Sequence, residues 1–344
     1  MGIHDRFVRS SYDQNELIFG TIELTHRCNL RCLHCFVPRN FKNNASMELP
    51  TREVQRLLDT LSAMKCSYVT FTGGEVFLRN DFPDILDHAS SKGLVIKILS
   101  NGTLIDEAVV RRLKKNAILS VYLSLYGENA GIHDRVSQEE GSFQKVLHSL
   151  RLLQDAGIPG VAQLVVLNQT ADHLPAMIEF CEKNRFLFQI GLKITPRMDG
   201  DTRTLDIAPT QEQIHALASC ISRPEPGIPS NPSPTGPVPF PTDPCPAGRN
   251  QCTVSPEGEI FPCLLWRIPC GNVLNDDLAA LWKESLILKK IREFRFPVNQ
   301  ECDGCGFFQN CERCPGYLHL IRDTLPDTPS CSLMRFNTSI SAAF

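Results

Sequence analysis

Cys28, Cys32 and Cys35 stand in the run THRCNLRCLHCF, with three and then two residues between the thiols. Three soft thiolates on one short loop suit an iron–sulfur cluster. A four-iron cubane ordinarily takes four protein ligands, so a cubane held by these three keeps one iron open to a substrate or cofactor. The competing chemistry is a zinc knuckle, which needs a fourth Cys or His, and His26 and His34 lie in the same run. A second candidate is TFTGGE, Thr70 to Glu75. Paired glycines admit a close backbone approach or a positive φ, and Glu75 offers a carboxylate to an ammonium group. A third is a C-terminal series. Cys245, Cys252 and Cys263 come first, with Gly258 between the last two; Cys302, Cys305, Cys311 and Cys314 then form CxxCxxxxxCxxC, and Cys331 follows. Two CxxC pairs also describe zinc ribbons.

The elements that must position these residues alternate in type. Strand-like apolar runs fall at 18–25, 67–72, 94–100, 119–126, 160–168 and 189–196, with helix-periodic segments between and after them. The helices are expected over 51–65, 82–92, 106–115, 142–156, 174–183 and 210–221, with Gly93 and Gly157 placed to end two of them. Six such β-then-α units imply a parallel sheet with helices outside, an α/β partial (βα)6 TIM-like barrel. Chemistry in such sheets gathers at the C-terminal strand ends, where the three-cysteine loop and TFTGGE both fall. The domain reading is a tail at 1–16, the barrel at 17–222, a connector at 223–244 and a small cysteine-rich domain at 245–344. The connector is Pro-rich, ten prolines lying within 223–246, and should run extended. In the last domain regular structure looks sparse, with one helix over 279–294, so metal is expected to staple it.

Composition narrows the class. The chain has 344 residues, a net charge of -3 and 15 cysteines. That charge argues against a broad basic face for nucleic acid. No secretory signal and no apolar stretch of spanning length is legible, so no membrane role and a cytoplasmic location are expected. Abundant cysteine there points to metal or redox chemistry rather than disulfides. Cys66, Cys181 and Cys220 read as small buried hydrophobes.

The cysteine loop, with Phe36 directly after Cys35, and Gly73–Gly74–Glu75 together resemble the signatures of the radical S-adenosylmethionine (SAM) superfamily. The resemblance implies that SAM chelates the open iron of the first cluster, with the methionine ammonium received at Gly73, Gly74 and Glu75. Reductive cleavage of SAM then gives a 5′-deoxyadenosyl radical that takes a hydrogen atom from the substrate. By the same resemblance Ser100 and Asn101 contact the ribose, Ser124 contacts ribose or carboxylate, and Arg135 pairs with the SAM carboxylate. The alternative for Arg135 is an ion pair with Asp134 or Glu139. The C-terminal series resembles the SPASM extension, which implies two auxiliary clusters and hence three 4Fe-4S clusters in all. By that pattern Cys245, Cys252, Cys263 and Cys314 hold one, and Cys302, Cys305, Cys311 and Cys331 the other. Two residues, not the usual three, separate Cys311 from Cys314, which leaves Cys270 as a substitute for Cys314.

Many SPASM enzymes modify ribosomally made peptides by crosslinking, oxidation or epimerisation, and that is the function the resemblance implies. The alternative is oxidation or decarboxylation of a small molecule, such as a tetrapyrrole side chain or an alcohol. The expected partners are a peptide substrate, an electron donor such as flavodoxin or ferredoxin, and a separate leader-peptide-binding protein, since only 27 residues precede Cys28. A zinc-stabilised binding module without catalysis is the reading from another class.

Overall fold

The computed structural model describes residues 2–41, 47–217, 220, 245–294 and 314–322. In chain order the elements are α1 (Ile3–Gln14), β1 (Phe19–Thr25), α2 (Thr51–Ala63), β2 (Tyr68–Gly73), α3 (Phe82–Ser91), β3 (Val95–Ser100), α4 (Glu107–Leu113), β4 (Ile118–Leu125), α5 (Ala130–Ser137), α6 (Ser142–Asp155), β5 (Gly160–Val165), α7 (Leu174–Asn184), β6 (Leu187–Gly191) and α8 (Gln211–Ala216). The C-terminal region adds β7 (Gln251–Val254), β8 (Glu259–Phe261), β9 (Gly271–Asn272), α9 (Leu278–Glu284), α10 (Leu286–Glu293) and α11 (Pro315–Arg322).

The first six strands pair in sequence order and all in parallel, as the repeated β-then-α pattern requires. Their side chains divide cleanly between two faces. Ile96 and Ile98 of β3, Val69 and Phe71 of β2 and Leu123 and Leu125 of β4 are 0 % exposed and pack towards the helices. Val54, Leu57, Leu58 and Leu61, spaced for one face of α2, meet them there. Each fully buried aliphatic side chain contributes about 1.5–3 kcal/mol. On the concave face Thr21, Thr70, Lys97, Gln163 and Gln189 are only partly buried, so this side of the sheet borders a hollow, not a packed core. Gly93 and Gly157 end α3 and α6 at φ of 75° and 70°.

Several elements differ from the sequence reading. The first residues form α1, whose buried Ser11 hydroxyl accepts from Asn250 Nδ2 at 3.2 Å. Helix α5 is short, and its apolar spacing is too brief to stand out. The expected helix at 279–294 is two, because Ser285 leaves helical geometry and its hydroxyl caps α10 by accepting from Leu288 N. The region expected to be sparse in structure supplies β7, which pairs parallel to β1, followed by antiparallel β8 and β9. One nine-stranded sheet, in the order β6-β5-β4-β3-β2-β1-β7-β8-β9, therefore runs through the barrel into the C-terminal region. The connector at 223–244 lies outside the described residues. Among the described residues no helix is long and apolar enough to cross a membrane.

Candidate active site

The cysteine loop leaves the C-terminal end of β1, and the glycine pair at the end of β2 locks its base. Gly74 N donates to Thr25 O at 2.7 Å and Glu75 N to Arg27 O at 2.8 Å. A Cβ on Gly73 would sit 2.2 Å from Thr25 O, and one on Gly74 2.1 Å from Arg27 O. Gly73 also has φ +135°. Only glycine lets the two chains approach this closely. An ionic layer braces the contact. Arg27 forks onto Glu48 at 2.7 and 3.1 Å, and the Thr25 hydroxyl donates to the same carboxylate. Buried Arg79 donates to Leu24 O and Leu49 O at 2.9 and 3.1 Å and to both oxygens of Asp81. The Arg79 hydrogen bond is the main reason the Asp81 carboxyl is held down at about 2. On its other side the loop docks on the end of α5, through Leu33 N to Val136 O at 3.0 Å and Arg31 N to Ser137 O at 3.2 Å.

Cys28, Cys32 and Cys35 are half-buried and not in disulfides. Their sulfurs meet hydrogen-bond donors. Cys28 Sγ receives Leu30 N at 3.4 Å and Asn101 Nδ2 at 3.7 Å, and Tyr126 OH lies 3.4 Å from Cys32 Sγ. Tyr126 is stacked on His133, edge-on to His34, and bonded to the Ser124 hydroxyl. Burial, then the neighbouring Cys32, pushes the phenol well above its ordinary pKa, so it keeps its proton and can donate. His133 accepts from Tyr126 N at Nδ1, and burial lowers its pKa to about 4, so the ring is neutral. Donors aimed at sulfur suit thiolates. A cubane bonds each thiolate to a different iron, and the donors at Cys28 and Cys32 would offset the charge of thiolates so held. The loop therefore fits a cluster.

The remaining expected cofactor residues form one network beneath the loop. Glu75 is 0 % exposed. It accepts from Ser100 Oγ at 2.9 Å, Asn101 N at 2.7 Å and Phe77 N at 3.2 Å, and burial raises its pKa to about 7. Asn101 in turn donates to Asn29 Oδ1 at 2.8 Å, one residue after Cys28. The ends of β2 and β3 and the cysteine loop are thus tied through Glu75. Ser124 sits at the Tyr126 phenol, and the Phe36 carbonyl accepts from Met198 N at 2.9 Å. Arg135 lies exposed on α5, with no carboxylate partner among the described residues. Asp134 instead accepts from Gly141 N, Ser142 Oγ and Phe143 N.

The C-terminal thiols sort into two groups. Cys245, Cys263 and Cys314 lie close enough to act on one another's ionisation, after burial, which raises both Cys245 and Cys263. Each accepts a backbone N–H: Cys263 from Trp266 at 3.2 Å, Cys314 from Tyr317 at 3.4 Å and Cys245 from Ala247. Cys252 is not among them. In β7 it pairs in register with Gly20 and faces the helix side of the sheet, buried beside Cys66 and Cys270. Those neighbours donate their S–H to carbonyls, Cys66 to Tyr68 O at 3.3 Å and Cys270 to Ile268 O at 3.4 Å, as structural thiols do. Of the set expected for the first auxiliary cluster, Cys245, Cys263 and Cys314 thus lie together, while Cys252 stands apart beside Cys66 and Cys270. Cys302, Cys305, Cys311 and Cys331 lie outside the described residues. The sequence reading passed over Arg79, Lys97, Glu23 and Arg267. The available signal was a charged residue inside an apolar strand run, as in VIKILS and TIELT.

A parallel partial barrel with a cluster-ready thiol loop at its mouth defines a class of iron–sulfur enzyme, and comparison supplies the family. Residues 22–181 match the Radical SAM superfamily and residues 245–306 the SPASM iron-sulfur cluster-binding domain. The mycofactocin maturase MftC of Mycobacterium tuberculosis H37Rv is 29% identical over 311 residues, covering 85% of this chain and 76% of the relative. The AdoMet-dependent heme synthase of Nitratidesulfovibrio vulgaris is 26% identical over 337 residues, covering 90% of each. The crystal structure of Streptococcus suis SuiB bound to S-adenosylmethionine superposes with a TM-score of 0.66 at 18% identity, covering 90% of this chain and 76% of that one. The chain belongs to the radical SAM superfamily, as an enzyme with a C-terminal SPASM domain. Iron–sulfur clusters and SAM are its implied cofactors.

Proposed function

We propose that this enzyme modifies a ribosomally made peptide. The observation that carries the reading is the match to the maturase MftC over 85% of the chain, barrel and C-terminal region together. When bound, SAM and a reduced cluster on Cys28, Cys32 and Cys35 supply a primary carbon radical able to abstract hydrogen. The chain's own part is positional. Gly73 and Gly74 fix the loop, Tyr126 and Asn101 direct donors at its sulfurs, and exposed Arg135 is free to meet the SAM carboxylate. Glu75, with its carboxylate engaged by Ser100 and Asn101, orders the pocket floor. The ammonium group then falls to it and to adjacent backbone carbonyls.

Two auxiliary clusters complete the proposed count of three, with Cys245, Cys263 and Cys314 on one and Cys302, Cys305, Cys311 and Cys331 available for the other. They would suit a net oxidation, because clusters held there could take the electron that a substrate radical gives up. A flavodoxin or ferredoxin is the proposed reductant, and a separate leader-binding protein the proposed escort. The heme synthase relative, matched over 90% of both chains, favours a second reading, tetrapyrrole side-chain chemistry. The deciding experiment incubates the anaerobically reconstituted enzyme, SAM and reductant with each short peptide encoded beside its gene, and separately with a propionate-bearing tetrapyrrole. A mass change on a peptide, dependent on SAM, supports the first reading; a change on the tetrapyrrole alone overturns it.

A further inference from the structure

Lys97 stands in the middle of β3 on the concave face, between Thr70 of β2 and Ser120 of β4, with which it is in register. It precedes Ser100 by three residues, which sets it roughly 10 Å below the mouth at the usual rise per strand residue. Its ammonium lies 3.9 Å from the centroid of the Tyr122 ring. A ring face is a weak partner for a cation compared with a carboxylate. Among the described residues none of the carboxylates forms an ion pair with it. Arg267, a second cation reaching this face, is already committed: both its Nη atoms donate to Glu23 Oε2 at 2.9 Å. Among the described residues Lys97 is thus an ammonium on the concave face without a carboxylate to balance its charge.

We propose that Lys97 anchors a carboxylate of the substrate inside the barrel, holding it below the loop that carries the three thiols. A single cation matches a monoanion. A phosphate dianion would be left half-compensated by one cation. Burial lowers the Lys97 pKa to about 8, and no carboxylate acts to raise it. At neutral pH the group is still mostly charged, and an arriving carboxylate supplies the missing partner. The carboxylate has two sources in a peptide, the C-terminus and an acidic side chain, and the geometry selects the group and not its source. This inference deepens the peptide reading above and rests on it for the nature of the substrate.

The test uses the anaerobically reconstituted full chain with SAM, and ligand-observed NMR titration. The probes are N-acetylphenylalanine for a C-terminal carboxylate, N-acetylglutamate α-amide for a side-chain carboxylate, and the neutral amide of each. At least one acid should bind at least tenfold more tightly than its amide, and the preferred acid identifies the source. Lys97→Met should abolish the preference and Lys97→Arg should keep it. On the wild-type chain the same acid should protect Lys97 from carbamylation by cyanate, read by mass spectrometry at that residue, so the test stands even if a variant fails to load iron. Equal binding of acid and amide, binding of neither acid, or failure to protect Lys97 overturns the proposal. Those results leave peptide modification untouched, because that is judged separately by the mass change on a peptide.

Discussion

Replacing Tyr126 by Phe removes one oxygen from a closely packed place, and its effect can be worked out in advance. The ring is 3 % exposed, is stacked on His133 and meets His34 edge-on, contacts that Phe retains. What is lost is the O–H directed at Cys32 Sγ over 3.4 Å. A hydrogen bond to a charged group is worth about 1.5–3 kcal/mol. Reduction of a cluster spreads one electron over several atoms, so the bond strengthens on reduction by a fraction of that, about 1 kcal/mol. With 1.36 kcal/mol and 59 mV each standing for a tenfold change in a one-electron couple, the midpoint of the first cluster should fall by about 40 mV. Ser124→Ala, which removes the neighbouring hydroxyl but not the donor to sulfur, should shift it much less. The assay is an anaerobic potentiometric titration followed by electron paramagnetic resonance, reading the signal that changes when SAM is added. Iron and sulfide content must match wild type. An unchanged midpoint in a fully loaded Tyr126→Phe protein, or a rise, would refute the claim that this phenol tunes the cluster.

Three further outcomes follow from the same geometry. Cys252→Ala should keep the full iron load, whereas Cys263→Ala should lose about four irons per chain by cubane stoichiometry; equal losses would restore Cys252 as a ligand. Gly74→Ala forces a methyl against Arg27 O, costing about 1–3 kcal/mol or more, and should lower both the thermal midpoint and the iron bound at the first loop. His133 has a folded pKa lowered to about 4 by burial, so the unfolded chain binds the proton more readily. Its contribution is therefore fully present above the unfolded pKa near 6.5 and is lost as pH falls towards 4. The thermal midpoint of wild type should accordingly drop faster between pH 6.5 and 4.5 than that of His133→Gln, and parallel curves would count against this.

The six barrel strands were legible because each combines β-branched or aliphatic runs with flanking turn signals, and five of the six lie within a few residues of their expected bounds. β6 runs from Leu187 to Gly191, ahead of the expected 189–196, where the apolar run continues past the pairing. The cysteine loop and Glu75 were visible as motifs. The partners of Glu75 were not, since Ser100 and Asn101 come from a different strand end and only the fold brings them together. The place of Cys252 was hidden for the same reason. Its spacing fits a ligand series, but a strand turns alternate residues to opposite faces, and β7 turns this one away from Cys245 and Cys263. Lys97 shows the converse, a charge inside an apolar run that marks the hollow face of the sheet.

The pairing of β7 with β1 bears on how the chain acquires its fold. β1 carries the cysteine loop, yet one of its two flanking strands arrives only after the rest of the barrel has been made, and Glu23 waits for Arg267 across 244 positions. Contacts so distant in sequence are slow to form, because a long loop must close before they contribute. During synthesis the edge of β1 stays open, with unpaired backbone groups that another strand could capture. The nascent barrel thus has a period in which its sheet edge is exposed to aggregation. Pairing of β7 closes that edge.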